Sequence, residues 1–155
     1  MPYAWQAKGR TLEIPCFHGK RLNVLGFMST DNRAFFHAHE GRVGTEQVVA
    51  AFDGFARAYA DEYAVHKKPC VVVLDNASTH TSKAFVARLD DWAAYGVLLH
   101  YLPPYCPELN LIEILWRKIK YEWLPLSCYL GYENLKSAVL DVLAGFGHEY
   151  QITFV

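Results

Sequence analysis

The run Cys70-Val71-Val72-Val73-Leu74 contains no polar position, is rich in β-branched residues and stops abruptly at Asp75-Asn76. Continuity without alternation is the pattern of a strand buried on both faces of a sheet. Such a strand needs helices on either side, which predicts a layered fold. With 155 residues, 52% of them hydrophobic, the chain is long enough to bury one core, and residues 1–155 are expected to form a single domain.

The neighbouring segments fit that expectation. Arg21 to Ser29 and Ala34 to His39 are short apolar runs separated by Thr30-Asp31-Asn32-Arg33, turn residues in hairpin position, and predict two antiparallel strands. From Thr45 to Tyr63, Val48, Val49, Phe52, Phe55, Ala56, Tyr59 and Tyr63 recur at helical spacing. Beyond Asp75, a helix is predicted from about Ser82 to Tyr95, stopped by Gly96, and a strand over Val97 to Leu102. Pro103 to Glu108 reads as a loop, because its prolines lack donors and fix φ. Asn110 is placed to cap a third helix reaching about Leu124, and Glu133 to Leu143 predicts a fourth. Trp92, Trp116 and Trp123 fall on apolar stripes and are assigned to the core. The order of elements implies an α/β (α+β) layer fold with a mixed sheet flanked by helices.

Composition removes several functions. Lys plus Arg number 15 against 16 Asp plus Glu, so the chain has no overall basic excess with which to hold a phosphate backbone, and any contact with nucleic acid must be local. Cys16, Cys70, Cys106 and Cys128 form no C-x-x-C pair, which argues against a zinc knuckle or redox motif and for reduced thiols. No apolar run approaches a membrane span and the first residues lack a signal-peptide pattern, so a soluble, cytoplasmic protein is expected.

Asp75 and Glu113 are the candidate catalytic and metal-ligating residues. Sites in open α/β sheets form at the carboxyl ends of strands, where Asp75 falls; the plainer reading is that Asp75-Asn76 simply begins a turn. Glu113 sits one turn into the third helix, where it can equally be the partner of an Asn110 cap and an i,i+4 ion-pair partner of Arg117. His80 stands just before a helix, where a structural hydrogen-bonding role is the ordinary one. Arg117, Lys118 and Lys120 can face phosphates or simply form a solvated helix face. His37 and His39 share one face of a strand but have no third ligand nearby in sequence.

Taken together, two blocks carry more than either residue does alone. Val71-Val72-Val73-Leu74-Asp75-Asn76-Ala77-Ser78-Thr79-His80-Thr81-Ser82-Lys83 and Leu102-Pro103-Pro104-Tyr105-Cys106-Pro107-Glu108-Leu109-Asn110-Leu111-Ile112-Glu113-Ile114-Leu115-Trp116 resemble the second and third catalytic blocks of mariner-superfamily DDE transposases, most nearly the bacterial insertion-sequence branch. Cys106 replaces the usual Ser and Leu111 the usual Pro. Between Asp75 and Glu113 lie 37 residues, 76 to 112, close to the mid-thirties spacing the resemblance leads one to expect. Trp5-x-x-x-Gly9 and Leu22 to Gly26 extend it more weakly upstream.

The resemblance implies a ribonuclease-H-like fold, Mg²⁺ (or Mn²⁺) bound by Asp75 and Glu113, and DNA as partner, both element ends and target. It also implies a DNA-binding or ligand-orienting role for His80, with phosphate contacts from Arg117, Lys118 and Lys120. In the family a first Asp ends a central first strand upstream of the Trp5-like residue, and Glu13 and Asp31 stand in the wrong order to replace it. That implies a catalytic domain incomplete at its N-terminus and inactive as this isolated chain. It further implies open sheet edges that invite a homodimer or a complementing N-terminal segment, with Thr11 to Ile14 as another candidate for the gap. The alternative is a non-catalytic remnant serving as a structural or interaction module.

Overall fold

The computed structural model describes residues 8–9, 13–14, 19–104 and 109–154. Trp5, Thr11, Leu12, Cys16, Cys106 and the 105–108 part of the proline-containing loop lie outside the described residues.

The predicted hairpin forms from β1 (Leu22–Met28) and β2 (Ala34–Glu40), paired antiparallel from Leu22↔Glu40 to Met28↔Ala34. Asn32 in the turn has a φ of 61°, a left-handed conformation that Asn tolerates better than most side chains. Its amide also ties down the far end of the chain, donating to the Ile152 carbonyl at 3.0 Å and accepting from the Ile152 N–H at 2.7 Å.

Alternation along β1 gives the hairpin two apolar faces. Val24 and Met28, with Phe36 of β2, join one core cluster, while Leu25 and Phe27 join another. Phe27 stacks on Phe55 with ring centroids 4.3 Å apart.

The second of these clusters is built on α1 (Thr45–His66), a turn longer than the apolar periodicity indicated. Gly44 N–H donates to Gln47 Oε1 at 2.8 Å to close its first turn, and Lys67 ends it at a φ of 52°. Val48, Phe52 and Ala56 pack against β3 (Cys70–Leu74) and β4 (Val97–Tyr101), which pair in parallel from Cys70↔Val97 to Leu74↔Tyr101. The crossover is not the single helix expected from Ser82 to Tyr95. It divides into α2 (Lys83–Val86) and α3 (Leu89–Ala94). The break falls at Ala87-Arg88, where the Arg88 guanidinium is drawn to Asp53 of α1 at 2.9 Å and to Asp91 at 2.6 Å. Gly96 then turns the chain at a φ of +82°, where a Cβ would collide with the Tyr63 ring.

The remaining helices build the first cluster on the outer face of the hairpin. α4 (Ile112–Lys118) continues into a π-helical turn, Ile119–Trp123, closed by Leu124 N–H to Ile119 O at 3.1 Å. A 3₁₀ segment, Leu126–Leu130, leads to α5 (Tyr132–Gly145), which contains the predicted Glu133 to Leu143. Leu115, Ile119, Leu124, Val142, Leu143, Phe146 and Ile152 are buried together here. Gly26 lets α4 approach β1 closely, since a Cβ there would stand 3.0 Å from Ile112 Cδ1, Phe36 Cδ1 and Trp116 Cη2. Trp92 is 1% exposed, and Trp116 and Trp123 pack against the first cluster, as expected.

The mixed parallel and antiparallel strands with flanking helices make this an α/β, ribonuclease-H-like architecture. Among the described residues the strands form two two-stranded sheets, β1–β2 and β3–β4. Two expectations need correction. β3 is buried on one face only, with Val71 and Val73 56% and 46% exposed beside Leu98 at 44%: α4 and α5 cover the hairpin, and among the described residues no helix covers that side of β3 and β4. Asn110 is not the cap of α4, whose first turn begins at Leu111 without a side-chain hydrogen bond. Among the described residues, no helix is long and apolar enough to cross a membrane.

Candidate active site

The parallel pair β3–β4 ends in a set of hydrogen bonds that fix Asp75 and its neighbours. Asn76 Nδ2 donates to the Leu102 carbonyl just past β4 at 2.6 Å, so the two strand ends are tied. Asp75 Oδ1 accepts from Ala77 N–H at 3.1 Å, the turn-starting role that the plainer reading gave it. The same oxygen lies 3.0 Å from His80 Nδ1, which is also 3.1 Å from the Asp75 carbonyl oxygen. Both partners are acceptors when the aspartate is ionised, so Nδ1 must carry the proton and, in the neutral ring, Nε2 keeps its lone pair. Tyr101 Oη donates to the His80 carbonyl at 2.8 Å and the Phe85 ring lies 5.5 Å from the imidazole. The His80 side chain is thus held on several sides, while Asp75 keeps 57% exposure and an Oδ2 that no described residue engages.

Glu113 approaches from another element. It lies in the first turn of α4, exposed, and its backbone N–H bonds to Asn110 O at 3.0 Å. Neither of its ordinary side-chain roles is realised among the described residues: Asn110 caps nothing, and no Glu113–Arg117 ion pair forms. Lys118 instead pairs with Glu122 at 2.6 Å.

Asp75, His80 and Glu113 all line one cleft of about 780 Å³ between the two sheets. Its walls include Val24 to Met28 of β1 and Cys70 to Leu74 of β3, and Trp116 lies on the α4 side. Arg117, Lys118 and Lys120 do not line it. Arg117 and Lys120 are exposed on α4 and its π-helical extension, and the Lys118 charge is committed to Glu122. Among the described residues no group of three or more His, Cys, Asp or Glu side chains is gathered closely enough to hold a metal ion, which applies to His37 and His39 as well.

The donor types nevertheless suit a hard cation. Carboxylate oxygens are the ligands Mg²⁺ takes, and that ion is commonly held by one or two carboxylates with water filling its remaining positions. Sequence reasoning missed the supports of this site, namely Tyr101 behind His80 and Asn76 across to Leu102. Tyr101 looked like one more apolar strand residue, and nothing in the spacing shows that its hydroxyl reaches a carbonyl 21 residues away.

A family model for DDE superfamily endonucleases matches residues 1–136. No curated protein matches the chain.

Proposed function

The chain belongs to the DDE superfamily endonucleases, and on that premise we propose that it is the catalytic domain of a DNA transposase of the mariner superfamily, bacterial insertion-sequence branch, working in the cytoplasm on DNA phosphodiesters. One observation carries this reading. An aspartate at the carboxyl end of β3 and a glutamate in the first turn of α4 line the same cleft.

In this reading Asp75 and Glu113 hold Mg²⁺, or Mn²⁺ in its place. Bound there, the ion would activate an attacking oxygen and stabilise a leaving one. The protein's own part is positional. His80, through its Nδ1–H, fixes Oδ1 of Asp75 and leaves Oδ2 available to a cation. Asn76 holds the end of β3 against Leu102. Arg117 and Lys120 offer exposed charges to DNA phosphates, and Lys118 can do so once it leaves Glu122. The near-neutral net charge of −1 means that these contacts are local and that affinity falls with salt only in proportion to the few phosphates engaged.

Two carboxylates are a small ligand set for two-metal phosphoryl chemistry, which needs further donors to place a second ion. Residues 1–155 on their own are therefore expected to bind one divalent ion weakly and to leave DNA uncut. Mn²⁺ titration followed by electron paramagnetic resonance tests the first part. Wild type should take up one ion, and Asp75→Asn and Glu113→Gln should each weaken binding by about tenfold or more, as loss of a direct ligand requires. Equal Mn²⁺ uptake by all three proteins would sink the site assignment. Incubation with supercoiled plasmid in Mg²⁺ and in Mn²⁺ tests the second part, and nicking abolished by Asp75→Asn would show that the two carboxylates already suffice.

A further inference from the structure

We propose that His100 of β4 touches the substrate, its imidazole N–H donating to the DNA phosphate next to the one held at Asp75. The inference deepens the reading of the site given above and rests on it for the identity of the substrate.

The layers decide which side of the strands a substrate can reach. Leu25 and Phe27 of β1, Val72 and Leu74 of β3 and Val97 and Leu99 of β4 all pack in the cluster built on α1. Side chains at the alternate positions therefore point to the opposite side. On β1 that side is occupied by α4, since Gly26 stands against Ile112 and Trp116. On β3 and β4 it is open, and Val71, Val73 and Asp75 lie there beside Leu98 and His100, all of them exposed. Asp75 thus projects from the open face on the side from which Glu113 approaches.

Register fixes where His100 stands on this face. Val73 pairs with His100 and Leu74 with Tyr101, so Leu102 is the position across from Asp75 and His100 is the diagonal neighbour. At a rise of about 3.3 Å per residue and a strand spacing of about 4.8 Å, the two side chains start about 8 Å apart. The ladder holds that spacing up to the strand ends, where Leu102 N–H donates to Leu74 O at 2.8 Å. His100 lies outside the cleft itself, on the face that continues its β3 wall onto β4.

A phosphodiester bound at Asp75 must arrive from the open side, because α1 closes the other. The adjoining nucleotide then crosses the face over Val73. Valine offers apolar surface to a deoxyribose but no partner to a phosphate, and Val71 and Leu98 offer none either. An ionised Asp75 accepts hydrogen bonds and repels a phosphate unless a cation stands between them. His100 is the group of this face that can donate: even a neutral imidazole keeps one N–H. No described residue hydrogen-bonds its ring. Its reach across the face suits a phosphate one nucleotide from the metal, and such a contact fixes the position of the strand without reading its sequence.

The test uses the 155-residue chain, a short fluorescein-labelled DNA duplex of mixed sequence, and Mn²⁺. In fluorescence anisotropy His100→Ala should weaken duplex binding about tenfold, the scale of one hydrogen bond to a charged group. His100→Gln keeps an N–H donor and should restore most of the loss. Val71→Lys and Val71→Glu, on the same face and four residues before Asp75, should tighten and weaken binding respectively, opposite signs that a purely structural effect does not produce. Mn²⁺ uptake without DNA, read by electron paramagnetic resonance, and the circular dichroism spectrum should be unchanged in all four variants. Binding indifferent to His100→Ala, equal losses for the Ala and Gln variants, Val71 variants that shift together or not at all, or no duplex binding by wild type would each overturn the proposal. Failure of the metal reading looks different. Wild type and Asp75→Asn would then take up Mn²⁺ equally, and the same His100 and Val71 pattern would still support His100 as the phosphate contact.

Discussion

A single nitrogen, His80 Nδ1, faces two oxygens of Asp75, one from the side chain and one from the main chain. This links the ring to the exact rotamer of the carboxylate as well as to the backbone where β3 ends. If Asp75 binds a divalent ion, His80 acts on affinity through that rotamer without touching the metal. His80→Ala should therefore weaken Mn²⁺ binding by about tenfold, the lower end of what loss of a ligand-orienting partner costs. His80→Asn keeps an N–H donor near the Nδ1 position and should retain most of the affinity, whereas His80→Gln carries its donor further out and should not. Identical titrations for the three variants, in a protein whose Asp75→Asn form has lost binding, would leave the metal reading intact and remove His80 from it. The aspartate and the histidine were both legible in the sequence, because a strand ending in Asp with a His five residues on is a pattern along one chain. Their hydrogen bond was not, since it depends on how the 76–79 turn folds back.

Between elements, the bond that decides most is also one that periodicity cannot show. Asp53, on α1, accepts from Arg88 Nη2 at 2.9 Å and from Trp92 Nε1 at 2.8 Å, and so clamps α3 onto α1. Partial burial pushes the Asp53 carboxyl up, but the hydrogen bonds from Arg88 and Trp92 and the nearby positive charges outweigh it and hold its pKa below the ordinary carboxylate value. A carboxyl whose folded pKa is depressed contributes stability above its unfolded value, and loses that contribution as the pH falls through the folded one. Asp53→Asn should accordingly cost about 2 kcal/mol near neutral pH, the scale of hydrogen bonds to a charged group. The gap between variant and wild type in urea unfolding should stay constant down to about pH 5 and close below about pH 4, around the unfolded carboxylate value. A gap that persists undiminished at pH 2 would mean that the ionised form is not what matters. The apolar stripe over Ser82 to Tyr95 gave the surface that packs on α1, with Phe85 and Trp92 nearly fully buried. It could not give the break at Arg88, whose side chain is held by a partner 35 residues away.

At the scale of the whole molecule, one hairpin stands between two cores. The first cluster gathers α4, its π-helical extension and α5 on the face of Val24, Met28 and Phe36, and the second gathers α1, α3, β3 and β4 on the face of Leu25 and Phe27. The sequence indicated the strands and most helices because each is a local pattern. It did not show that β3 has one open face, because a β-branched run reads the same whether one face or both are covered. The two-core arrangement has a consequence for cooperativity. In a continuous sheet, a ladder of backbone bonds would carry strain from one side to the other, whereas here β1 and β3 share no bonds among the described residues. The link is made mainly by side chains across the hairpin, and units joined in that way tend to open separately. Leu115, 0% exposed in the first cluster, is the probe. Leu115→Ala should remove about 2–5 kcal/mol from the cluster it belongs to, so native-state hydrogen exchange should show the amides of α4 and α5 losing protection while those of α1 and β3 keep most of theirs. Phe85→Ala, in the second cluster, should produce the converse. Equal loss throughout the chain in both variants would mean that the hairpin couples the two cores into one unit despite the gap between the sheets.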